Sequence, residues 1–416
     1  MTIAAFIAVR AHSGPLHFTP LPCIFSQLAL HPLITIDHFL MHITVGTQGI
    51  GYVEERVLLT AIPTGVTYVR SYDAVNVIAY LQRRLASPPT ATSLTNCLHC
   101  DLGLNRVDLL HLVNTISCSD TPWIVSFEHH VPRWNPRSAR GMQMLTRPAC
   151  RRLLALSHFA WKAQLSLLEP GSALRDALTA KLVVTHPPQR PLISSYEEKQ
   201  LSEEAVTCTF VGRDFWRKGG REVVEAFQQL RSEGEPVRLH VISSLEWGDY
   251  ISGSTLEDAR MMEKQMRSAG DWLIHDHELP NESVLRALTN SHIALLPTYD
   301  DTYGFSVLEA QASGTPIITT DICVMPEVNS NETGWLISLV HDAFGQALLR
   351  TPDDRRAASR AIVEGVYNAL KSSLRDPSLI RSRGQRALES IRTRHAPDAY
   401  AEQLREIYAQ ALHPSR

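Results

Sequence analysis

Two carboxylates, Asp301 and Glu309, stand eight residues apart in the run Asp301-Thr302-Tyr303-Gly304-Phe305-Ser306-Val307-Leu308-Glu309. An apolar stretch, Ile293 to Pro297, precedes them, and Ile317-Ile318 follows Gly314-Thr315-Pro316. A strand, a glycine-containing turn and a helix with a carboxylate in its first turns can hold a phosphate and a sugar together. Upstream, Phe210-Val211-Gly212-Arg213-Asp214-Phe215-Trp216-Arg217-Lys218-Gly219-Gly220 sets Arg213 and Lys218 in a glycine-containing loop after an apolar strand. Glycines permit close backbone approach, and two cations can clamp a phosphate. Such a loop is otherwise a solvated basic surface; the downstream carboxylates favour the binding role.

These residues need elements to carry them. Short apolar runs alternate with longer helix-patterned stretches, which predicts parallel sheets covered by helices. In the first half the predicted strands are Ala4–Val9, Leu33–Ile36, Gly65–Val69, Leu109–Val113, Trp123–Phe127, Leu153–Ser157 and Leu182–Val184, with helices over Ala74–Leu85 and Phe159–Leu168. His186-Pro187-Pro188-Gln189-Arg190-Pro191 is a breaker cluster, read as a linker. A second series follows: strand Thr207–Val211, helix Arg221–Glu233, strand Val237–Ser243, helix Leu256–Ser268, strand Trp272–His275, helix Glu282–Thr289 and strand Ile293–Pro297. After Gly334-Trp335-Leu336-Ile337 the pattern is helical, ending in a helix over Ala399–Leu412.

At 416 residues the chain has room for two domains, and 44% apolar with 20% charged residues is ordinary globular composition. A net charge of −3 gives no global attraction to nucleic acid. Seven scattered cysteines argue against a disulfide framework and for a reducing compartment. Cys97-Leu98-His99-Cys100 has metal-site spacing, but no second pair follows, so two ordinary thiols are expected. No apolar stretch is long enough to span a membrane, and the N-terminus lacks the basic start of a signal peptide. A cytoplasmic protein, peripheral to a membrane at most, is the expectation. No Gly-x-Gly-x-x-Gly follows a strand, which speaks against an NAD-dependent enzyme.

Together the two motifs resemble the donor-binding half of retaining family 4 glycosyltransferases of the GT-B fold. The resemblance is good over residues 205–340 and weak elsewhere. It implies an α/β architecture of two Rossmann-like domains facing a cleft, with the C-terminal helix crossing back to the first domain. The expected partition is residues 1–188 for the acceptor domain, 189–385 for the nucleotide-sugar donor domain and 386–416 for the returning helices. It also implies roles. Arg213 and Lys218 would contact the donor diphosphate beside Gly212. The N–H groups of Phe305, Ser306, Val307 and Leu308, after Gly304, would face the phosphates at a helix N-terminus. Glu309 would accept from ribose hydroxyls, and Asp301 would contact the sugar, with Asp300 able to share that task. Here the chain departs from the family's Glu-x7-Glu pattern, since Asp301 replaces the first Glu and Thr302-Tyr303 the usual Gly-Phe. Glu327, in Met325-Pro326-Glu327-Val328, would line the donor site or else cap a helix. The base pocket would lie at His275 to Leu279. No metal or other cofactor is expected.

The first half carries fewer signals. The family's glycine-rich loop after the first strand is represented only by Ser13-Gly14, with Gly46, Gly49 and Gly51 much later. Ser126-Phe127-Glu128-His129-His130 resembles a loop that contacts the transferred sugar, through either Glu128 or His129. From His129 to Leu168 there are seven cations and no acid, interleaved with Trp134, Phe159 and Trp161. Such a stretch could meet an anionic membrane, a phosphate-bearing lipid or an acidic polysaccharide, or be balanced by distant acids. The resemblance implies transfer of a sugar from a nucleotide sugar to a glycan or lipid-linked acceptor in envelope or exported polysaccharide synthesis, with no nucleic acid partner. The rival expectations are a non-catalytic sugar-nucleotide-binding scaffold and a nucleotide-sugar 2-epimerase of GT-B shape.

Overall fold

The computed structural model describes residues 42–49, 51–85 and 97–413. The expected strands Ala4–Val9 and Leu33–Ile36, and Ser13-Gly14, lie outside these residues.

The first half runs β1 (Ile43–Thr47), α1 (Tyr52–Glu54) continued by a π-turn (Glu55–Leu59), β2 (Val66–Arg70), α2 (Ala74–Leu85), β3 (Leu98–His99), β4 (Leu109–Val113), β5 (Ile116–Ser117) and β6 (Trp123–Phe127). It continues with α3 (Ala139–Thr146), β7 (Cys150–Ala155), α4 (His158–Ser166), α5 (Ala173–Thr179) and β8 (Leu182–Val184). Six strands form a parallel sheet in the order β2-β1-β4-β6-β7-β8, while β3 and β5 pair separately. Strands β4 and β6 are buried along their whole length, which is why they read as unbroken apolar runs. The sequence reading missed β1, whose Thr44, Gly46 and Thr47 dilute the apolar signal. It also placed β7 too late: the strand starts at Cys150 and includes Arg151 and Arg152, and Ser157 caps α4 by accepting from the Ala160 N–H at 3.0 Å.

The second half runs β9 (Val206–Val211), α6 (Gly220–Ser232), β10 (Val237–Ile242), α7 (Leu256–Arg267), β11 (Leu273–Asp276), α8 (Asn281–Thr289), β12 (Ile293–Leu296), α9 (Phe305–Ala312), β13 (Ile317–Thr320), α10 (Met325–Val328) and β14 (Gly334–Ile337). These strands form a second six-stranded parallel sheet, β11-β10-β9-β12-β13-β14. The order reverses between β9 and β12, and ligands in such sheets bind in the crevice outside the carboxyl ends of the strands at that switch. Both sequence motifs lie there, in the loops that leave β9 and β12.

Three helices close the chain: α11 (Pro352–Arg375), α12 (Ser378–Arg394) and α13 (Pro397–Leu412). Helix α11 packs on α6 and α12 on α9, whereas α13 packs on β4 and β7 of the first sheet. The chain crosses back near His395, whose Nδ1 lies 2.8 Å from the Pro187 carbonyl. Tyr408 on α13 is fully buried, with its hydroxyl 2.7 Å from His111 Nδ1 and 2.8 Å from the Tyr68 hydroxyl. This is the two-domain GT-B arrangement.

Candidate functional site

A cleft of about 700 Å³ opens between the loops after β9 and β12 and the residues that follow β1 and β6. Its cationic wall is built by close packing. A Cβ on Gly212 would stand 2.5 Å from Lys218 Cδ, so the lysine stem lies across the bare backbone of that glycine. Gly219 takes φ +77°, and a Cβ there would come within 2.3 Å of the Pro297 carbonyl oxygen. The two loops therefore nest, and Lys218 Nζ reaches 3.9 Å from Asp301 Oδ2. Arg213 is exposed and lines the cleft, with no hydrogen bond or ion pair on its guanidinium among the described residues. Arg217 turns the other way. It pairs with Asp214 and donates to the Asp300 carbonyl at 2.7 Å, bracing one loop against the other.

Asp301 is almost fully buried, and its Oδ1 accepts the N–H groups of Tyr303 (3.2 Å) and Gly304 (3.0 Å). The shorter acid closes its own turn and still presents Oδ2 to Lys218. Gly304 then opens α9 in the left-handed region, φ +76°, where a Cβ would meet Met325 Cε at 2.6 Å. Phe305 and Ser306 line the cleft, and the first N–H groups of a helix have no intrahelical acceptor. Glu309, one turn further on, is 3% exposed and pairs with Arg56 from the opposite half.

Glu128 closes the far wall at the end of β6. Asn114 Nδ2 donates to its Oε2 at 2.9 Å and Thr302 Oγ1 to its Oε1 at 3.3 Å. Burial pushes its carboxyl above the usual range, the Asp301 charge adding to the effect, against the hydrogen bonds of Asn114 and Thr302 and the charge of Arg133. At the other end of the cleft lie Ser243, Ser244, His277, Glu278 and Leu279. The Ser244 hydroxyl is buried without a partner.

Residues 194–365 match the family model described as glycosyl transferases group 1. A D-inositol 3-phosphate glycosyltransferase of Geodermatophilus obscurus is 27% identical over 171 residues, which cover 39% of this chain and 34% of that protein. The capsular polysaccharide biosynthesis glycosyltransferase CapM of Staphylococcus aureus is 28% identical over 151 residues, 34% of this chain and 35% of that protein. The chain thus spans about a third of the length of the curated relatives it matches. Among solved structures, a glycosyltransferase from Rickettsia africae ESF-5 superposes with a TM-score of 0.56 at 13% identity, covering 89% of this chain and 90% of that one. Anabaena HepE, solved in complex with UDP, gives 0.56 at 11% identity, with 89% and 100% covered. These likenesses show the fold.

The matched segment and the cleft account for most of the residues singled out in the sequence. Gly212, Arg213, Lys218, Asp301, Gly304, Phe305, Ser306, Glu309 and Glu128 all line the cleft. Others are placed elsewhere. Val307 and Leu308 have buried side chains in the core, and the Val307 N–H is used on the Gly304 carbonyl at 2.8 Å. The tight left-handed start of α9 consumes that donor, so Phe305 and Ser306 carry the open N–H groups. Asp300 turns its carboxylate to Tyr250 and to Cys323 Sγ, away from Lys218. Glu327 accepts the N–H groups of His158 (2.7 Å) and Phe159 (2.6 Å), so it caps α4 of the other half instead of facing the cleft. Between Glu128 and His129, the carboxylate lines the cleft, while the imidazole packs on His130 and on Phe159, 5.5 Å between ring centroids. His275 gives Nε2 to the Ser243 carbonyl at 2.8 Å.

Sequence reasoning missed Tyr52 and Arg56, which follow the glycines after β1 and reach Glu309. Gly49 and Gly51 were the signal, since they mark the loop that leaves β1, the strand that itself contains Gly46. In the basic stretch, Arg133, Arg137, Arg140 and Lys162 are exposed, and Arg147 pairs with Asp120. Phe159 is in the main core, and Trp134 and Trp161 are half-buried against a second buried cluster that includes Trp123, Phe127 and Leu153, so the aromatics are not a free face. Among the described residues no helix is long and apolar enough to cross a membrane, and no cluster of three or more His, Cys, Asp or Glu is arranged to hold a metal ion.

Proposed function

We propose that this protein is a retaining glycosyltransferase of the family 4 type. It would move a sugar from a nucleotide-sugar donor to a glycan or lipid-linked acceptor. One observation carries the reading: Lys218, Arg213 and the open N–H groups at the start of α9 converge on the end of the cleft that also holds Asp301 and Glu309. A departing diphosphate gains negative charge, and fixed cations and backbone donors stabilise that charge without needing a resident metal. Glu309 accepts from the ribose and Asp301 Oδ2 from the sugar. Glu128, held by Asn114 and Thr302, meets the transferred sugar from the far wall. The departing phosphate takes the acceptor proton, and closure of the cleft excludes water.

Polysaccharide synthesis is the proposed setting, supported by the similarity to CapM. The exposed Arg133, Arg137, Arg140 and Lys162 support an anionic acceptor or a peripheral contact with an anionic membrane. Free thiols at Cys97, Cys100, Cys118, Cys150, Cys208 and Cys323 support a cytoplasmic setting.

The test is a thermal-shift panel of UDP, GDP, ADP, CMP and their common sugar conjugates, followed by turnover with the conjugate that binds. A ligand at a hundred times its Kd adds about 2.7 kcal/mol of stability. A shift with one nucleoside diphosphate and release of that diphosphate on adding acceptor support transfer. Binding without turnover returns the protein to the scaffold reading, and no shift with any ligand sinks the donor site.

A further inference from the structure

Arg56 lies in the π-turn of the first half, 253 positions from Glu309 in sequence, yet its guanidinium donates to Glu309 Oε1. It also donates to Gln189 Oε1, at 3.1 Å, on the segment between the two sheets. The two charged side chains are 14% and 4% exposed. Tyr52 reinforces the contact. Its hydroxyl is 3.4 Å from the same Oε1, its ring stands edge-on to Phe305 at 5.7 Å, and Arg56 Cζ sits 5.2 Å from its centroid.

The chemistry of this arrangement is specific. Both partners from the first half meet Oε1, and Oε2 has no partner among the described residues. A carboxylate accepts at about four lone-pair sites, so Oε2 remains able to take a hydroxyl while Oε1 stays occupied. A buried carboxylate without a cation tends to take up a proton, and a protonated one loses acceptor capacity. Fixing the group also removes rotamer freedom that a bound ribose would otherwise have to freeze.

We infer that Arg56 is a positioning residue for the donor nucleotide: it holds the Glu309 carboxylate ionised and oriented so that Oε2 can accept a ribose hydroxyl. Because Arg56 comes from the opposite half, the acceptor for the ribose is complete only while the cleft is closed. This inference rests on the nucleotide-sugar reading of the cleft.

The experiment is calorimetric titration of UDP, with GDP and ADP in parallel, at about pH 6 and about pH 8. Arg56 and Tyr52 face the carboxylate directly; Lys218, Asp301, Glu128 and His277 line the same cleft. Burial raises the Tyr52 pKa, which keeps its hydroxyl protonated throughout. Wild type carries the pH response of the diphosphate itself and of the rest of the cleft, and so supplies the baseline. Beyond that baseline, Arg56→Met is expected to bind about tenfold more weakly at the lower pH than at the higher. Arg56→Lys restores the wild-type profile. Glu309→Gln binds weakly at both pH values, and adding Arg56→Met to it changes nothing further. Arg56→Gln replaces Arg56→Met if melting shows the latter unfolded. An Arg56 variant that weakens binding equally at both pH values, or leaves it unchanged, overturns the positioning role while the donor site stands. Wild type that binds none of the three nucleotides overturns the donor reading and this inference together.

Discussion

Lys218 Nζ lies 3.9 Å from Asp301 Oδ2, and the other oxygen of that carboxylate holds the turn that opens α9. One acid thus links the cation proposed to meet the leaving group to the N–H groups that would share its charge. The two residues should fail differently. Lys218→Ala removes the cation beside Asp301 Oδ2 but leaves the turn held by Asp301 Oδ1 intact, so it should cost less stability than Asp301→Ala. Turnover should fall roughly 10²–10³-fold, as when one charge-stabilising donor is removed elsewhere. Asp301→Ala should lose turnover and also about 1–3 kcal/mol of stability, because two N–H groups lose their acceptor. Steady-state rates and melting curves of the two variants check this, and wild-type turnover in Lys218→Ala would falsify the site assignment.

Gly212 and Gly219 frame the same loop but answer to different constraints. A methyl at Gly212 collides with Lys218 Cδ, a side chain that can move. A methyl at Gly219 collides with the Pro297 carbonyl oxygen from a backbone at φ +77°, and neither can give easily. Gly212→Ala should therefore fold normally and bind the donor nucleotide about tenfold more weakly, by displacing the lysine. Gly219→Ala should lower the melting temperature first. The pair is read by calorimetric titration and thermal melts, and the reverse pattern would break the account of the loop.

The placement of the residues in the second-half wall of the cleft was legible because they lie close together in sequence, within each of two short runs. Gly212, Lys218, Asp301 and Gly304 sit within loops that leave adjacent strands β9 and β12, and their spacing already encodes the site. The contacts that were not legible are tertiary. Arg56 meets Glu309 only because the halves close, and nothing near Arg56 in sequence announces an acid partner. Glu327 lies next to the donor motif in sequence, but its carboxylate goes to α4 of the other half. Val307 was expected to offer an N–H, and the left-handed Gly304 redirected that donor to its own carbonyl. Strand β1 was lost for a different reason, since only Ile43 and Val45 of its five residues are aliphatic.

Glu327 supplies a separate test of how the halves are held. Its two oxygens accept the first N–H groups of α4, and Arg394 near the crossover donates to its backbone carbonyl. Glu327→Ala should cost about 1 kcal/mol, the usual effect of losing a helix cap. Affinity for the donor nucleotide should not change, because the side chain does not face the cleft. A variant with wild-type melting and reduced nucleotide binding would return Glu327 to the donor site.

The returning helix should make the fold sensitive to acid. His111 is fully buried against Tyr408, and burial lowers its pKa from 6.5 to about 3. His395, at the crossover, is brought to about 4, mainly by burial and with the Pro187 carbonyl opposing. Both folded values lie below the unfolded value, so the unfolded chain binds more protons between about pH 4 and 6.5. Their contribution is complete above pH 6.5 and is lost as pH falls through that window. Each histidine can add up to about 1.4 kcal/mol per pH unit to the slope. Urea denaturation at about pH 5, 6 and 7 should show stability declining with acid. His111→Asn should be less stable than wild type at neutral pH, since it loses the hydrogen bonds to Tyr408 and Ser126, yet its decline with acid should be shallower. An unchanged slope in that variant would mean that other groups govern the acid response.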